Sequence, residues 1–138
     1  MPQVHINYLA VLVSAVLGFA IGGLWYSPFL FANQWVKAHG FTEAQVKEMQ
    51  KDASKSYSIS LVCMVLIALA MAVIAGYLHL ALFMQGLKLG LLAWGGFALP
   101  LGLMATMFTG RKMTVFLIDT GYQFVYLLVI GTIIAVWH

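Results

Sequence analysis

The first 36 residues carry no charged side chain, and seven of the eleven charges in the chain (seven Lys or Arg, four Asp or Glu) fall between Lys37 and Lys55. Only Lys88, Arg111, Lys112 and Asp119 stand outside that stretch. Charges gathered this way leave four long apolar runs, each approaching the roughly 20 residues that cross a bilayer as helix. A soluble domain carries about 25% charged residues; this 138-residue chain carries 8%, against 63% apolar. Too little polar material remains to clothe a surface in water. Soluble enzymes and nucleic-acid binders are therefore excluded first, since the net charge of +3 has no broad wet face to act from.

The expected fold is all-α: an integral membrane four-helix bundle, one transmembrane domain over residues 1–138. The spans are expected at about 6–26, 58–78, 87–108 and 113–136. The first has no Lys or Arg before it and no small-x-small cleavage site after it, so it reads as a retained span. It closes at Trp25-Tyr26-Ser27-Pro28, because Pro28 donates no backbone hydrogen bond and biases Ser27 away from helix. In the first connection Thr42-Glu43-Ala44-Gln45 fits a capping box, from which a short amphipathic helix is expected over about 42–54. Lys47, Lys51 and Lys55 form its basic stripe, a contact for lipid headgroups or for a partner protein.

Four spans put the first and third connections on one side and both termini on the other. The first connection holds Lys37, Lys47, Lys51 and Lys55, the third Arg111 and Lys112, against Lys88 opposite. The positive-inside rule then expects both charged connections in the cytoplasm and both termini outside it. Trp25, Tyr26, Trp35 and Trp137 read as interface anchors, their rings apolar and their N–H or O–H in need of a polar partner. Gly18-x-x-x-Gly22, Ala72-x-x-x-Gly76 and Gly86-x-x-x-Gly90 are small-residue faces that let helix backbones approach, favouring a homo-oligomer. Pro100 should kink or open the third span.

Gly22-Gly23-Leu24-Trp25-Tyr26-Ser27-Pro28-Phe29-Leu30-Phe31 with Trp35 resembles the opening motif of a family of small bacterial four-span membrane proteins catalogued as a domain of unknown function. Phe108-Thr109-Gly110-Arg111, Leu117-Ile118-Asp119-Thr120-Gly121-Tyr122-Gln123 and Ile130-Gly131-Thr132-Ile133-Ile134-Ala135-Val136-Trp137 are similar to that family's approach to, and course through, its fourth span. The resemblance implies a bacterial inner-membrane protein. It implies no activity and no catalytic residues.

Asp119 is the residue on which chemistry would rest. It is the only acid outside the first connection, and it lies about 9 Å into the fourth span at 1.5 Å per residue. An ionised Asp near a bilayer centre costs about 2.5–3.5 kcal/mol and less towards the interface, so it should face protein or water. Tyr122, Gln123 and Tyr126 follow at i+3, i+4 and i+7 and extend a polar stripe, a ligand or proton path. The competing expectation is interhelical glue, with Asp119 bonded to hydroxyls such as Tyr26 or Tyr57.

Catalysis finds no support: there is no nucleophile elbow, no paired carboxylate and no phosphate loop. His5, His39, His79 and His138 lack the i, i+4 spacing of a helical metal site, and Cys63 is the sole cysteine, so no metal, disulfide or cofactor is expected. The function expected is therefore non-enzymatic. The first reading is a transport-like or small-solute- or proton-binding role at Asp119. The alternative is a membrane-anchored scaffold that recruits a partner through the basic connection 37–55.

Overall fold

A computed structural model describes residues 3–138, and these are helical almost throughout. Four helices are long and apolar enough to cross a membrane. The first is α1 (Tyr8–Trp25), whose N-cap Asn7 accepts the Ala10 N–H on Oδ1. Past Trp25 the chain turns at Ser27-Pro28, and Phe31 N–H bonds back to Trp25 O at 3.1 Å. That turn launches α2 (Ala32–His39), which ends at Gly40 with φ +73°, the left-handed conformation that glycine adopts without a Cβ clash.

The short helix expected in the first connection is α3 (Glu43–Lys51), with the Thr42/Gln45 capping box formed in both directions. It stops at Asp52, and α4 (Ala53–Tyr77) begins at once. The second span therefore starts well before its apolar run, because nothing in Ser54-Lys55-Ser56 breaks a helix leaving the bilayer. The third span is composite: α5 (Phe83–Ala93), a wide turn over Trp94–Ala98 with π-type bonding, and α6 (Leu99–Thr109). Pro100 has no N–H to give and its ring crowds the carbonyl four residues back. The widened turn just before it absorbs that misfit. Last comes α7 (Met113–Val136).

Helix α7 is the hub, packing on α5, α1 and α4. Ala15, Ala68, Leu127 and Ile130 are buried where α1, α4 and α7 meet. Close approach is decisive between α5 and α7: a Cβ on Gly86 would collide with the Gly131 carbonyl, and one on Gly90 would meet the Leu127 carbonyl at 2.5 Å. Only residues without side chains admit backbones so near. By contrast α6 buries only Thr106, and Leu101, Met107 and Phe108 stand exposed for lipid to cover. One end of the bundle gathers α2, α3 and the Arg111–Lys112 connection. The other gathers residues 3–7, the α4–α5 turn and the end of α7.

Candidate functional site

Residues 118–120 of α7 receive four aromatic donors. The Tyr26 hydroxyl donates to Asp119 Oδ1 at 2.6 Å, and the Trp35 indole donates to the same oxygen at 3.1 Å. On the same side Trp25 Nε1–H donates to the Ile118 carbonyl at 2.9 Å. From the wide turn that follows α5, Trp94 Nε1–H reaches Thr120 O at 2.9 Å and Thr120 Oγ1 at 3.1 Å. Each donor is held by its own local fold. Trp25 ends α1, Tyr26 opens the turn, and α2 carries Trp35 back across to Asp119 because Pro28 forced the chain to reverse. A hydrogen bond to a charged acceptor is worth roughly twice a neutral one, so the half-buried carboxylate is well compensated on this side.

Beyond that oxygen the site opens. Asp119 and Gln123 line a cavity of about 90 Å³ together with Thr106, Arg111 and Thr120. The space is enough for a few waters. Arg111 lines it without a salt bridge to Asp119; among the described residues the one ion pair is Lys51–Glu48 at 3.4 Å, on the exposed face of α3.

The polar stripe expected along α7 divides. Gln123 stays with Asp119 at the cavity. Tyr122 turns its hydroxyl to Gly18 O at 2.8 Å, and its ring meets Tyr26 edge-on at 5.5 Å and Tyr126 at 4.8 Å. Gly22 makes this possible, since a Cβ there would lie 2.5 Å from the Tyr122 hydroxyl. Tyr126 is buried in the core. Tyr26 is the hydroxyl partner anticipated for Asp119; Tyr57 points elsewhere, edge-on to Phe19. Trp35 is the partner that spacing concealed, since 84 residues separate it from Asp119. Trp137 lies at the far end, its carbonyl accepting from Asn7 Nδ2 at 3.4 Å.

Among the small residues, Gly18 faces Met64 and Gly76 faces Val4, while Ala72 is buried in the core. Lys47, Lys51 and Lys55 are exposed on α3 and at the start of α4. His39 adjoins the site: its ring stacks on Phe41 with an interplanar angle of 2° and lies 4.2 Å from Trp35. Burial lowers its pKa below the ordinary imidazole value; Asp119 opposes that shift and Arg111 adds to it.

The family described as "Protein of unknown function (DUF1761)" matches the chain from residue 9 to residue 135, and the chain belongs to that family. No curated protein and no solved structure matches it. Membership spans all four helices and includes every donor to Asp119, but it carries no activity with it.

Proposed function

We propose that this is a transport-type membrane protein that binds a proton or a small polar solute at Asp119, and that it is not an enzyme. The observation that supports the reading is the two-sided environment of the carboxylate. One oxygen is fixed by Tyr26 and Trp35, while the residue also borders the small cavity shared with Arg111, Thr106 and Gln123. A carboxylate used only as glue has no need of a polar space beside it. On the positive-inside rule this end faces the cytoplasm of a bacterial inner membrane, with both termini outside. The exposed third span is the surface best suited to a second copy in a homo-oligomer.

Reconstitution tests the reading. Purified protein in liposomes should move protons or a small solute down an imposed gradient. Asp119→Asn keeps the shape of the side chain and removes its charge, and it should abolish that movement without altering particle size in detergent. Undiminished flux in the Asp119→Asn variant, or none with the natural chain across a panel of solutes, overturns the proposal.

A second reading rests on α3, a capped helix with its lysines turned outward and its one ion pair internal. It makes the spans an anchor and α3 a docking element for an acidic partner. Replacing Lys47, Lys51 and Lys55 with Glu should then remove the partner from membranes, whereas Asp119→Asn should leave it bound.

A further inference from the structure

The cavity beside Asp119 is bordered by two residues of opposite charge that do not pair. Asp119 lies in the first third of α7 and Arg111 in the connection before it, and no salt bridge joins them. No other Asp, Glu, Lys, Arg or His lines the space. Both charges act on the His39 ring, so they share one neighbourhood. An acid and a base that border one small cavity without neutralising each other leave a charge of each sign to be met from within it.

The hydrogen bonds around the cavity are incomplete in a matching way. Tyr26 and Trp35 both donate to Asp119 Oδ1, and no described group donates to Oδ2. Neither the Gln123 amide nor the Arg111 guanidinium has a hydrogen-bond partner among the described residues. His39 Nε2 is the one buried side-chain nitrogen or oxygen without a partner among those residues. Asp119 Oδ2 and the Gln123 amide are therefore open to solvent, and both residues border this space. Thr106 gives its hydroxyl hydrogen to Gly102 O at 2.8 Å, which leaves its oxygen to accept. Thr120 Oγ1 already accepts from Trp94, which leaves its own hydrogen to donate. The lining thus offers acceptors at Asp119 and Thr106, donors at Arg111 and Thr120, and both at Gln123.

We propose that the solute bound at Asp119 is a small zwitterion, an amino acid of glycine's size, with its ammonium directed to Asp119 and its carboxylate to Arg111. This rests on the reading of Asp119 as a solute-binding residue and names the class of solute. A cation alone would be repelled by Arg111, and an anion alone by Asp119. A zwitterion answers both, and a guanidinium takes a carboxylate through two parallel hydrogen bonds. About 90 Å³ corresponds to about three waters, so an amino acid with a long or aromatic side chain is too large.

Glycine, glycinamide, glycolate and glycolamide share one skeleton and present both charges, the positive, the negative and neither. Calorimetry with full-length protein in detergent measures the binding of each near pH 6.5, where an α-ammonium is protonated. Glycine should bind about tenfold more tightly than glycinamide or glycolate, and leucine should not bind. Arg111→Gln should weaken glycine about tenfold and leave glycinamide as it was. Asp119→Asn should weaken glycine by a similar factor and leave glycolate as it was or bound more tightly. Arg111 lies in an exposed connection, so its variant tests the pairing even where Asp119→Asn fails to fold. Parity of glycine with glycolamide, parity of leucine with glycine, or equal losses of glycine and glycinamide in Arg111→Gln would each overturn the proposal. Glycine that fails to bind while liposomes still show flux abolished by Asp119→Asn would remove the zwitterion and keep the transport reading. Glycine binding with the expected charge pattern but without flux would do the reverse.

Discussion

The pair Tyr26 and Asp119 gives the most direct measure of what the aromatic cluster does. A hydrogen bond to a charged group contributes about 1.5–3 kcal/mol in soluble proteins. Between membrane helices the average is nearer 0.6 kcal/mol, with a maximum of about 1.7, because the unfolded chain in the bilayer also finds partners. At 2.6 Å this bond has the length usual for O–H···O⁻, but Asp119 is only half-buried and keeps access to water when the bond is lost. The expected cost of Tyr26→Phe is therefore about 1–1.5 kcal/mol, near the upper end of the membrane range. Trp35 shares the same oxygen at 3.1 Å, so part of the compensation survives. The clean measurement is a double-mutant cycle of Tyr26→Phe with Asp119→Ala, each variant unfolded reversibly by SDS in mixed micelles. A coupling energy of about 1 kcal/mol is expected, since residues in one hydrogen-bond network couple by about 0.5–3 kcal/mol. Additivity within about 0.3 kcal/mol would refute the reasoning, because the hydroxyl would then contribute nothing through the carboxylate.

Two glycine substitutions should part company. Gly86→Ala drives a methyl into the Gly131 carbonyl, where only backbone could yield, and should destabilise by about 1–3 kcal/mol in the same SDS titration. Gly95→Ala meets nothing within 4 Å and should be neutral or stabilise by up to about 1 kcal/mol through helix propensity. His39 should confer a pH dependence. Burial lowers its pKa in the folded protein, so as pH falls the unfolded chain takes up the proton first. Its contribution is then complete above about pH 6.5 and declines as pH drops through and below that value. The His39 side-chain resonance followed by NMR should titrate below about 6.5, and His39→Phe should flatten the acid limb of stability against pH. A midpoint above the ordinary value would show that Asp119, rather than burial, dominates the ring.

Much of the scaffold is legible in the chain because lipid leaves so few options. Unbroken apolar length fixes the spans, Pro28 stops the first, and Thr42 with Gln45 announces α3. What stays hidden is where polar sequence keeps a helical course: α2 has no cap box and mixes Asn33, Gln34 and Lys37 with apolar residues, and α4 runs back through Ser54-Lys55-Ser56 without an apolar signal. For the site, a lone acid in an apolar run is conspicuous and a tyrosine at matching depth is a reasonable partner. Trp35 is not, because its approach depends on how sharply the chain reverses after Pro28, a property of the turn and not of residue spacing. A cavity lined by histidines escapes for a related reason. His5, His79 and His138 line one cavity at the end opposite Asp119 but sit before α1, in the α4–α5 turn and after α7, segments brought together by the packing of α1 and α4 on α7, so no interval in the sequence encodes it.

The two polar ends constrain how any flux could proceed. Asp119 and Ile130 are eleven positions apart on α7, about 16 Å of helix, and between Asp119 and the histidine cavity the centre of the bundle is filled by Ala15, Ala68, Leu127 and Ile130, all buried. Tyr122 and Tyr126 lead from Asp119 towards this plug, but the Tyr122 hydroxyl is already committed to Gly18 O. A fixed pore is therefore incompatible with this arrangement, and transport requires helices to move apart. The α5–α7 contact is a poor place for that, locked by Gly86, Gly90 and Gly131 backbone to backbone. The slack lies in the wide turn Trp94–Ala98, where Gly95 and Gly96 have open space around them and α6 beyond is scarcely packed. Pivoting there would swing α6, and Thr106 with it, away from Asp119 while the Trp94–Thr120 bonds keep the hinge seated on α7. Cysteines in place of Gly102 and Phe116, whose ring edge fills the gap between them, joined by a disulfide-containing bifunctional reagent of about the length of that ring, would tie α6 to α7 beside the Asp119 cavity and should thus arrest flux and restore it on reduction. Flux that survives the cross-link would place the moving element elsewhere in the bundle.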